Sequence, residues 1–448
     1  MKELINNREY EDNLIKQGIK YIAGVDEVGR GPLVGPVVTA CVILPEGYTL
    51  EGLTDSKKLT PKKRDMYFDI IMRDALSVSI GIKNEKIIDD INIYEATKLA
   101  MYDAINGSKI KPEHILIDAM KLEKLTILNY KNIIDATLEF SPNVNCFVGR
   151  NGMGKTNVLD AIYYLSFCKS RFSTTDAISV RHGEEFFMLQ GLYEREDGGN
   201  EHVHLAFKKG GRKHLKRNDK EYKRLSEHLG LIPLVMISPS DSLLIDSGSE
   251  ERRKFIDMVV AQYDSRYVEC LLRYEKTLKQ RNALLKQEEE PDAGVMEVLE
   301  EMMSMDASYI YECRKAFVSE FTPIFQSLYL SLCDNDVEKV SIQYASHISR
   351  GELKEQLTSF RTKERIVGYT LHGVHRDDLE LYLNEYPIRQ EGSQGQTKTY
   401  FIALKLAQFL YLKERGNQQT PLLLLDDIFD KLDAGRVARI IKYVSGNA

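Results

Sequence analysis

The chain has 448 residues, a net charge of −6 and a sequence pI near 6.0, which allows two or three domains and excludes a globally basic nucleic-acid-binding footprint. No apolar run is long enough to span a bilayer, and the polar start Met1-Lys2-Glu3-Leu4-Ile5-Asn6 lacks the apolar stretch of a signal peptide. The six cysteines (Cys41, Cys146, Cys168, Cys270, Cys313, Cys333) show no C-x-x-C spacing and read as reduced, buried thiols of a cytoplasmic protein with no membrane partner.

Up to about residue 120, short strands alternate with helices. Strands are predicted over 21–25, 36–44, 76–82 and 115–117, and helices over 61–73 and 93–105. This is part of an α/β domain. Asp26 and Glu27 follow the first strand, in Gly24-Val25-Asp26-Glu27-Val28-Gly29-Arg30-Gly31, and Asp118 ends the last one. Acids at strand ends suit a divalent metal such as Mg²⁺ or Mn²⁺, and a turn with solvated acids explains them equally well.

From 121 to 245 the chain is strand-rich. Hairpins are predicted from 125–130 with 136–140, and from 187–193 with 202–208 around Asp197-Gly198-Gly199; Gly210-Gly211 marks another turn. Between the hairpins lies Gly149-Arg150-Asn151-Gly152-Met153-Gly154-Lys155-Thr156, which fits the phosphate-loop pattern G-x-x-x-x-G-K-[ST] at every fixed position. The glycines let the backbone curl so that N–H groups face a phosphate. Lys155 adds charge for the outer phosphates, and Thr156 offers a hydroxyl to Mg²⁺. Residues 145–148 read as a buried strand entering the loop, and 157–165 as a helix leaving it, its positive end facing the anion. Lys208, Lys209, Arg212, Lys213, Lys216, Arg217, Lys220, Lys223 and Arg224 then crowd one short segment, either a solvated face or a contact for nucleic-acid phosphates.

From 246 to 335 the texture is helical. Ile256, Val260, Tyr263, Tyr267, Leu271, Tyr274 and Leu278 form one stripe along a long helix, and the acidic break around Pro291 ends it. A second helical run carries Val295, Leu299, Met302, Tyr309, Phe317, Phe321 and Phe325, so a helical hairpin packed on itself is expected.

The last part, 336–448, holds two more signals. Glu391-Gly392-Ser393-Gln394-Gly395-Gln396 opens an amphipathic helix with Ser393 as N-cap, which is either a plain cap or a second anion site. Pro421 and a run of leucines then lead into Asp426 and Asp427. Asp426 is placed to hold a metal through water, and Asp427 to orient or deprotonate an attacking water. A compact nucleotide-binding core does not need the long stretch between loop and leucines, which makes the helical arm an insertion. Two anion sites around one nucleotide imply a second subunit.

Together these segments resemble the ABC-type ATPase head, with Ser393, Gly395 and Gln396 in a variant of its signature loop and Asp430-Lys431-Leu432-Asp433 like its D-loop. More narrowly, residues from about 120 onward resemble the RecF family through Asn129-Tyr130-Lys131-Asn132, Phe140-Ser141-Pro142, Ser238-Pro239-Ser240-Asp241, Glu251-Arg252-Arg253-Lys254-Phe255-Ile256-Asp257 and Gly373-Val374-His375-Arg376-Asp377-Asp378. The resemblance implies an ATP-dependent DNA-binding homodimer with slow hydrolysis, Mg²⁺, single-stranded and duplex-junction DNA, and recombination mediator proteins as partners. The nucleotide would contact Gly149, Arg150, Asn151, Gly152, Met153, Gly154, Lys155, Thr156, Ser393, Gly395 and Gln396, with Lys155 and Asp427 catalytic.

The N-terminal strings resemble ribonuclease HII, whose metal acids Asp26, Glu27 and Asp118 would match and whose ribose-reading motif would include Arg30. That family continues with a fourth acid on a later segment, a pattern not seen after Asp118, so the implied cleavage of RNA in RNA–DNA hybrids is expected to be inactive. The expected architecture is therefore a partial ribonuclease H-like α/β domain (1–120) followed by an ABC-ATPase head with an inserted helical arm. The join at Met120-Lys121-Leu122 has no linker, and the D-loop is followed by only a short tail ending at Ala448. The expectation is that two truncated reading frames were joined at that stretch, by genuine fusion or by an assembly error. Resequencing across Met120 tests this.

Overall fold

The computed structural model describes residues 11, 14–15, 18–28, 35–50, 52–53, 59–116, 120–141, 144–195, 200–333, 338–415 and 420–428. They form two compact units, one mainly of residues up to Met120 and the other of most of the chain from Lys121 onward.

In the first unit, β1 (Ile22–Val28), β2 (Val37–Ile43) and β3 (Ser77–Lys83) make an antiparallel meander, with the short β4 (His114–Leu116) parallel to β1. Helix α1 (Pro61–Asp74) starts where the Thr60 side chain accepts from the Lys63 N–H and proline takes the first helical position. Helix α2 (Glu85–Asn106) begins earlier than the apolar periodicity suggests, because Asn84 caps it by accepting from the Ile87 N–H. It lies so close on the sheet that a Cβ on Gly81 would sit 1.8 Å from the Ala100 carbonyl oxygen. The core of this unit is small: Ala23, Val25, Cys41 and Ile43 pack against Met101 and Ala104. One sequence expectation is corrected here. The β1–β2 ladder continues to Val28 opposite Val38, so Asp26 and Glu27 lie inside the strand rather than at its end. Asp118, Arg30 with its flanking glycines, and residues 54–58 are outside the described residues, as are the side chain of Glu27 and the D-loop residues 430–433.

The larger unit opens with β5 (Met120–Tyr130) and β6 (Ile133–Glu139), which join β7 (Phe186–Arg195), β8 (Asn200–Lys208), β9 (His214–Arg217) and β10 (Lys220–Glu221) in a six-stranded sheet of order β10-β9-β8-β7-β5-β6. Helix α3 (Lys155–Phe167) leaves the phosphate loop and is buried from Leu159 to Phe167. β11 (Leu234–Ile237) follows, then α4 (Ser249–Val260), α5 (Ser265–Leu285) and the 40-residue α6 (Ala293–Leu332). β12 (Val340–Ala345), α7 (Leu353–Val367), β13 (Asp378–Leu383), β14 (Tyr386–Pro387), α8 (Gln394–Arg415) and β15 (Leu422–Leu425) complete the described chain. β15 pairs in parallel with β11, Leu234 opposite Leu422 through Ile237 opposite Leu425.

Four expectations change in this unit. The stripe from Ile256 to Leu278 is two helices: the first ends at Val260, and Asp264 caps the next, its carboxylate accepting from the Tyr267 N–H at 2.8 Å. The helical arm does not pack only on itself: Phe317, Phe321 and Phe325 of α6 meet Tyr400 and Tyr411 of α8 edge-to-face. α8 is accordingly buried on all sides from Thr399 to Gln408 instead of being amphipathic. Residues 145–148 form no strand, and Val148 is 95% exposed. A short run such as Cys146-Phe147-Val148 becomes a strand only when another strand pairs with it. Here Asn145 turns back locally, accepting from the Ser141 N–H at 2.8 Å and donating to the Ser141 carbonyl at 2.9 Å.

Candidate nucleotide site

The phosphate loop is built by backbone conformation. Gly152 and Gly154 have φ of 79° and 99°, a left-handed region that L side chains resist, and α3 starts directly after Gly154. The first turn of α3 therefore presents its free N–H groups at the loop. Lys155 folds over the loop, its ammonium donating to the carbonyls of Gly149 at 2.8 Å and Arg150 at 3.1 Å.

The leucine strand reaches the same place from the other end of the chain. The parallel β11–β15 pair continues one step beyond β15, where the Asp426 N–H donates to the Ile237 carbonyl at 2.9 Å. This fixes the Asp426 carboxylate so that the Thr156 hydroxyl donates to it at 3.0 Å across 270 residues of sequence. Burial raises the Asp426 carboxyl above its ordinary range and the neighbouring Asp427 adds to the rise, while the Thr156 hydrogen bond and the Lys155 charge oppose it. Asp427 is exposed beside it, with φ of 50°.

Ser393 caps α8 as expected, and the cap is reciprocal. Its hydroxyl accepts from the Gln396 N–H at 3.3 Å while the Gln396 amide oxygen accepts from the Ser393 N–H at 2.9 Å. The Gln396 amide donates onward to Glu338 at 2.8 Å. Gly395 accepts from the Thr399 hydroxyl. The signature loop and the phosphate loop thus have separate hydrogen-bond partners, and the structure brings together Thr156, Lys155, Asp426 and Asp427 but not Ser393, Gly395 and Gln396.

The sequence reading missed two polar residues, Asp160, which ties the β5–β6 turn to α3, and Asn132, which ties that turn to the loop. Asp160 is fully buried in α3 and accepts from Tyr130 at 2.6 Å, Lys131 at 2.6 Å, Ser170 at 2.7 Å and the Arg171 N–H at 2.7 Å. A carboxylate among the apolar positions of a helix was the available signal. Asn132 donates to the Gly152 carbonyl at 2.9 Å and accepts from Asn157 at 2.7 Å. Among the basic residues, Arg217 pairs with buried Glu201, Lys213 with Asp176 and the Cys168 carbonyl, Lys209 with the Glu184 carbonyl, and Arg224 with Glu227. Lys208, Arg212, Lys216, Lys220 and Lys223 remain exposed along the β8–β10 edge.

The cysteines are all free thiols, but Cys146 is exposed and Cys313 and Cys333 are only half-buried, so the expectation of uniform burial fails there. No helix among the described residues is long and apolar enough to cross a membrane, and no cluster of three or more metal-ligating His, Cys, Asp or Glu side chains occurs among them.

Residues 121–448 match the family model described as RecF/RecN/SMC N terminal domain, and residues 23–141 match that of ribonuclease HII. The DNA replication and repair protein RecF of Phocaeicola vulgatus is 54% identical over 328 residues, covering 73% of this chain and 88% of its own length. The protein of the same name from Bacteroides fragilis is 52% identical over the same shares. A solved structure described as the recombination mediator protein RecF-ATP in the RecFOR pathway superposes with a TM-score of 0.69 at 31% identity, covering 73% of this chain and 90% of that one.

Proposed function

The chain belongs to the RecF family of DNA replication and repair proteins, ABC-type ATPases, through residues 121–448, and from that premise we propose that its phosphate loop binds and slowly hydrolyses ATP to drive dimerisation on DNA. The observation that carries this reading is the 3.0 Å hydrogen bond from Thr156 to Asp426, which joins the loop to the end of the leucine strand. An uncharged hydroxyl and a partly buried carboxylate are the hard oxygen donors that suit Mg²⁺. Thr156 and Asp426 would hold the ion, whose charge would offset that of the phosphates when bound. Lys155 would leave the carbonyls of Gly149 and Arg150 for the outer phosphates, while Arg150, Asn151 and Met153 contribute backbone to the cradle. Asp427 would orient the attacking water. Its side chain is one methylene shorter than the glutamate usual in such ATPases, which supports slow turnover.

Ser393, Gly395 and Gln396 already form a rigid cap with an exposed edge, which supports a role on the nucleotide of a partner copy. Lys208, Arg212, Lys216, Lys220 and Lys223 would follow a DNA backbone, giving affinity that falls steeply with salt. Binding at single-strand gaps or junctions, work with recombination mediator proteins and a cytoplasmic location complete the proposal. The ribonuclease HII alternative is the weaker reading, since its match covers residues 23–141 alone.

The test is ATP hydrolysis with and without DNA, together with ATP-dependent dimerisation followed by light scattering. Lys155→Ala is expected to remove ATP-dependent dimerisation and to lower hydrolysis about 10²–10³-fold. Wild-type behaviour in that variant would end the proposal.

A further inference from the structure

We propose that Asn132, at the turn between β5 and β6, is a positioning residue that holds the phosphate loop in its binding shape before the nucleotide arrives. The proposal rests on the ATP-site reading above. Asn132 sits on neither the loop nor its helix, yet its side-chain amide meets both. It donates to the Gly152 carbonyl at 2.9 Å and accepts from Asn157, in the first turn of α3, at 2.7 Å. The same amide lies against Gly154, where a Cβ would fall 2.9 Å from the Asn132 side-chain oxygen. Gly154 is thus required twice, by its φ of 99° and by the close approach of Asn132.

The consequence follows from peptide geometry. A trans peptide points its carbonyl and the next N–H in opposite directions. With the Gly152 carbonyl held outward by Asn132, the Met153 N–H must face across the loop, and it does, toward the Arg150 carbonyl at 3.4 Å. A phosphate-binding loop works by such inward N–H groups. Without the outward anchor, the Gly152–Met153 peptide is free to turn over, and binding must then supply the cost of ordering it. The tie that holds Asn132 in place is strong. Its neighbours Tyr130 and Lys131 both bond to buried Asp160 one turn further along α3. The Tyr130-Lys131-Asn132 segment therefore grips the loop and its helix at two levels.

An anchor of this kind acts equally on bound substrate and transition state, so its loss should appear in KM and not in kcat. In the full chain, Asn132→Ala is expected to raise KM for ATP, and the Kd of a non-hydrolysable ATP analogue, about tenfold with kcat within about twofold. Asn157→Ala, which leaves the bond to Gly152 but frees the far side of the amide, is expected to cost about threefold. Asn132→Asp keeps shape but removes the donor and adds negative charge near the phosphates. It should bind the analogue more weakly than Asn132→Ala, and it serves in its place if the alanine variant does not fold.

An unchanged KM in Asn132→Ala overturns the inference, and so does a lowered Tm and kcat with KM unchanged, which would mark Asn132 as structural support only. Failure of the wild-type chain to bind the analogue would instead remove the ATP reading itself.

Discussion

In the N-terminal unit, Asp26 stands on an exposed sheet face, in one cross-strand row with Ala40 and Ile80 and next to the row of Val28, Val38 and Ile82. In the larger unit, Asp426 stands one residue past a buried parallel strand and meets Thr156 at 3.0 Å. Both acids follow apolar strand residues, and the second lies where several described elements converge. β15 ends there, β11 fixes its register, and α3 begins there with free N–H groups. The core behind each explains the difference. One packs a handful of aliphatic side chains under a single helix, whereas the other runs from α4 through α6 and α8 into the β12–β13 pair. A carboxylate acquires a defined partner geometry when the strand that carries it is held from both sides, as β11 and α3 hold the strand end at Asp426.

This contrast can be tested where the larger unit concentrates its polar contacts. The greatest effect is expected from Asp160→Ala, which removes the partner of the half-buried Lys131 ammonium and of three other donors, the buried Tyr130 and Ser170 hydroxyls among them. A loss of about 3–5 kcal/mol is expected in urea unfolding followed by circular dichroism. Lys155→Ala should leave the unfolding curve unchanged, because its ammonium bonds only to exposed loop carbonyls, yet lower ATP hydrolysis about 10²–10³-fold.

Acid should act on the larger unit through histidines buried in neutral form. His228, fully buried with its ring bonded to the Leu165 carbonyl, is pushed down to about 4 by desolvation, and His375 to about 3 for the same reason. The unfolded chain takes up these protons first, near pH 6.5. Stability is therefore fully present above that value and is lost as the pH falls from about 6.5 toward 4, with His228 contributing about 3 kcal/mol. His228→Gln should flatten this slope in urea midpoints measured between pH 7 and 4.

The smallest effect is expected in the other unit. Asp26→Asn should change neither ATP hydrolysis nor the cutting, with Mn²⁺, of a duplex containing one ribonucleotide, which should stay at background in both chains. Nicking by the wild type that disappears in Asp26→Asn would show that the open sheet face does assemble a metal site.

The phosphate loop, the helix after it and the acid-terminated leucine strand were all legible as local patterns. So was the cap at Ser393, since a capping box is a contact between residues three apart. What the pattern could not show was partnership. Residues 145–148 have the composition of a strand but bend onto Ser141 instead of pairing. α8 has polar residues at helical spacing and is nevertheless enclosed, because α6 packs on Tyr400 while the Lys405 ammonium lies over the Phe255 ring of α4. Several of the basic residues are tied to carbonyls and carboxylates of neighbouring segments, which narrows the exposed charge to the β8–β10 edge.

The sequence by itself determined the chemistry available to this protein: glycines that can adopt positive φ, a lysine and threonine after them, and paired acids after a run of leucines. These depend on backbone freedom and side-chain type within a few residues. The tertiary structure alone decided which groups meet. Thr156 finds Asp426 because β11 sets the register of β15, and Asn132 finds Gly152 because Asp160 draws the β5–β6 turn onto α3. Hydrogen bonds act over about 3 Å, so a contact between residues far apart in the chain exists only where packing has already closed the distance.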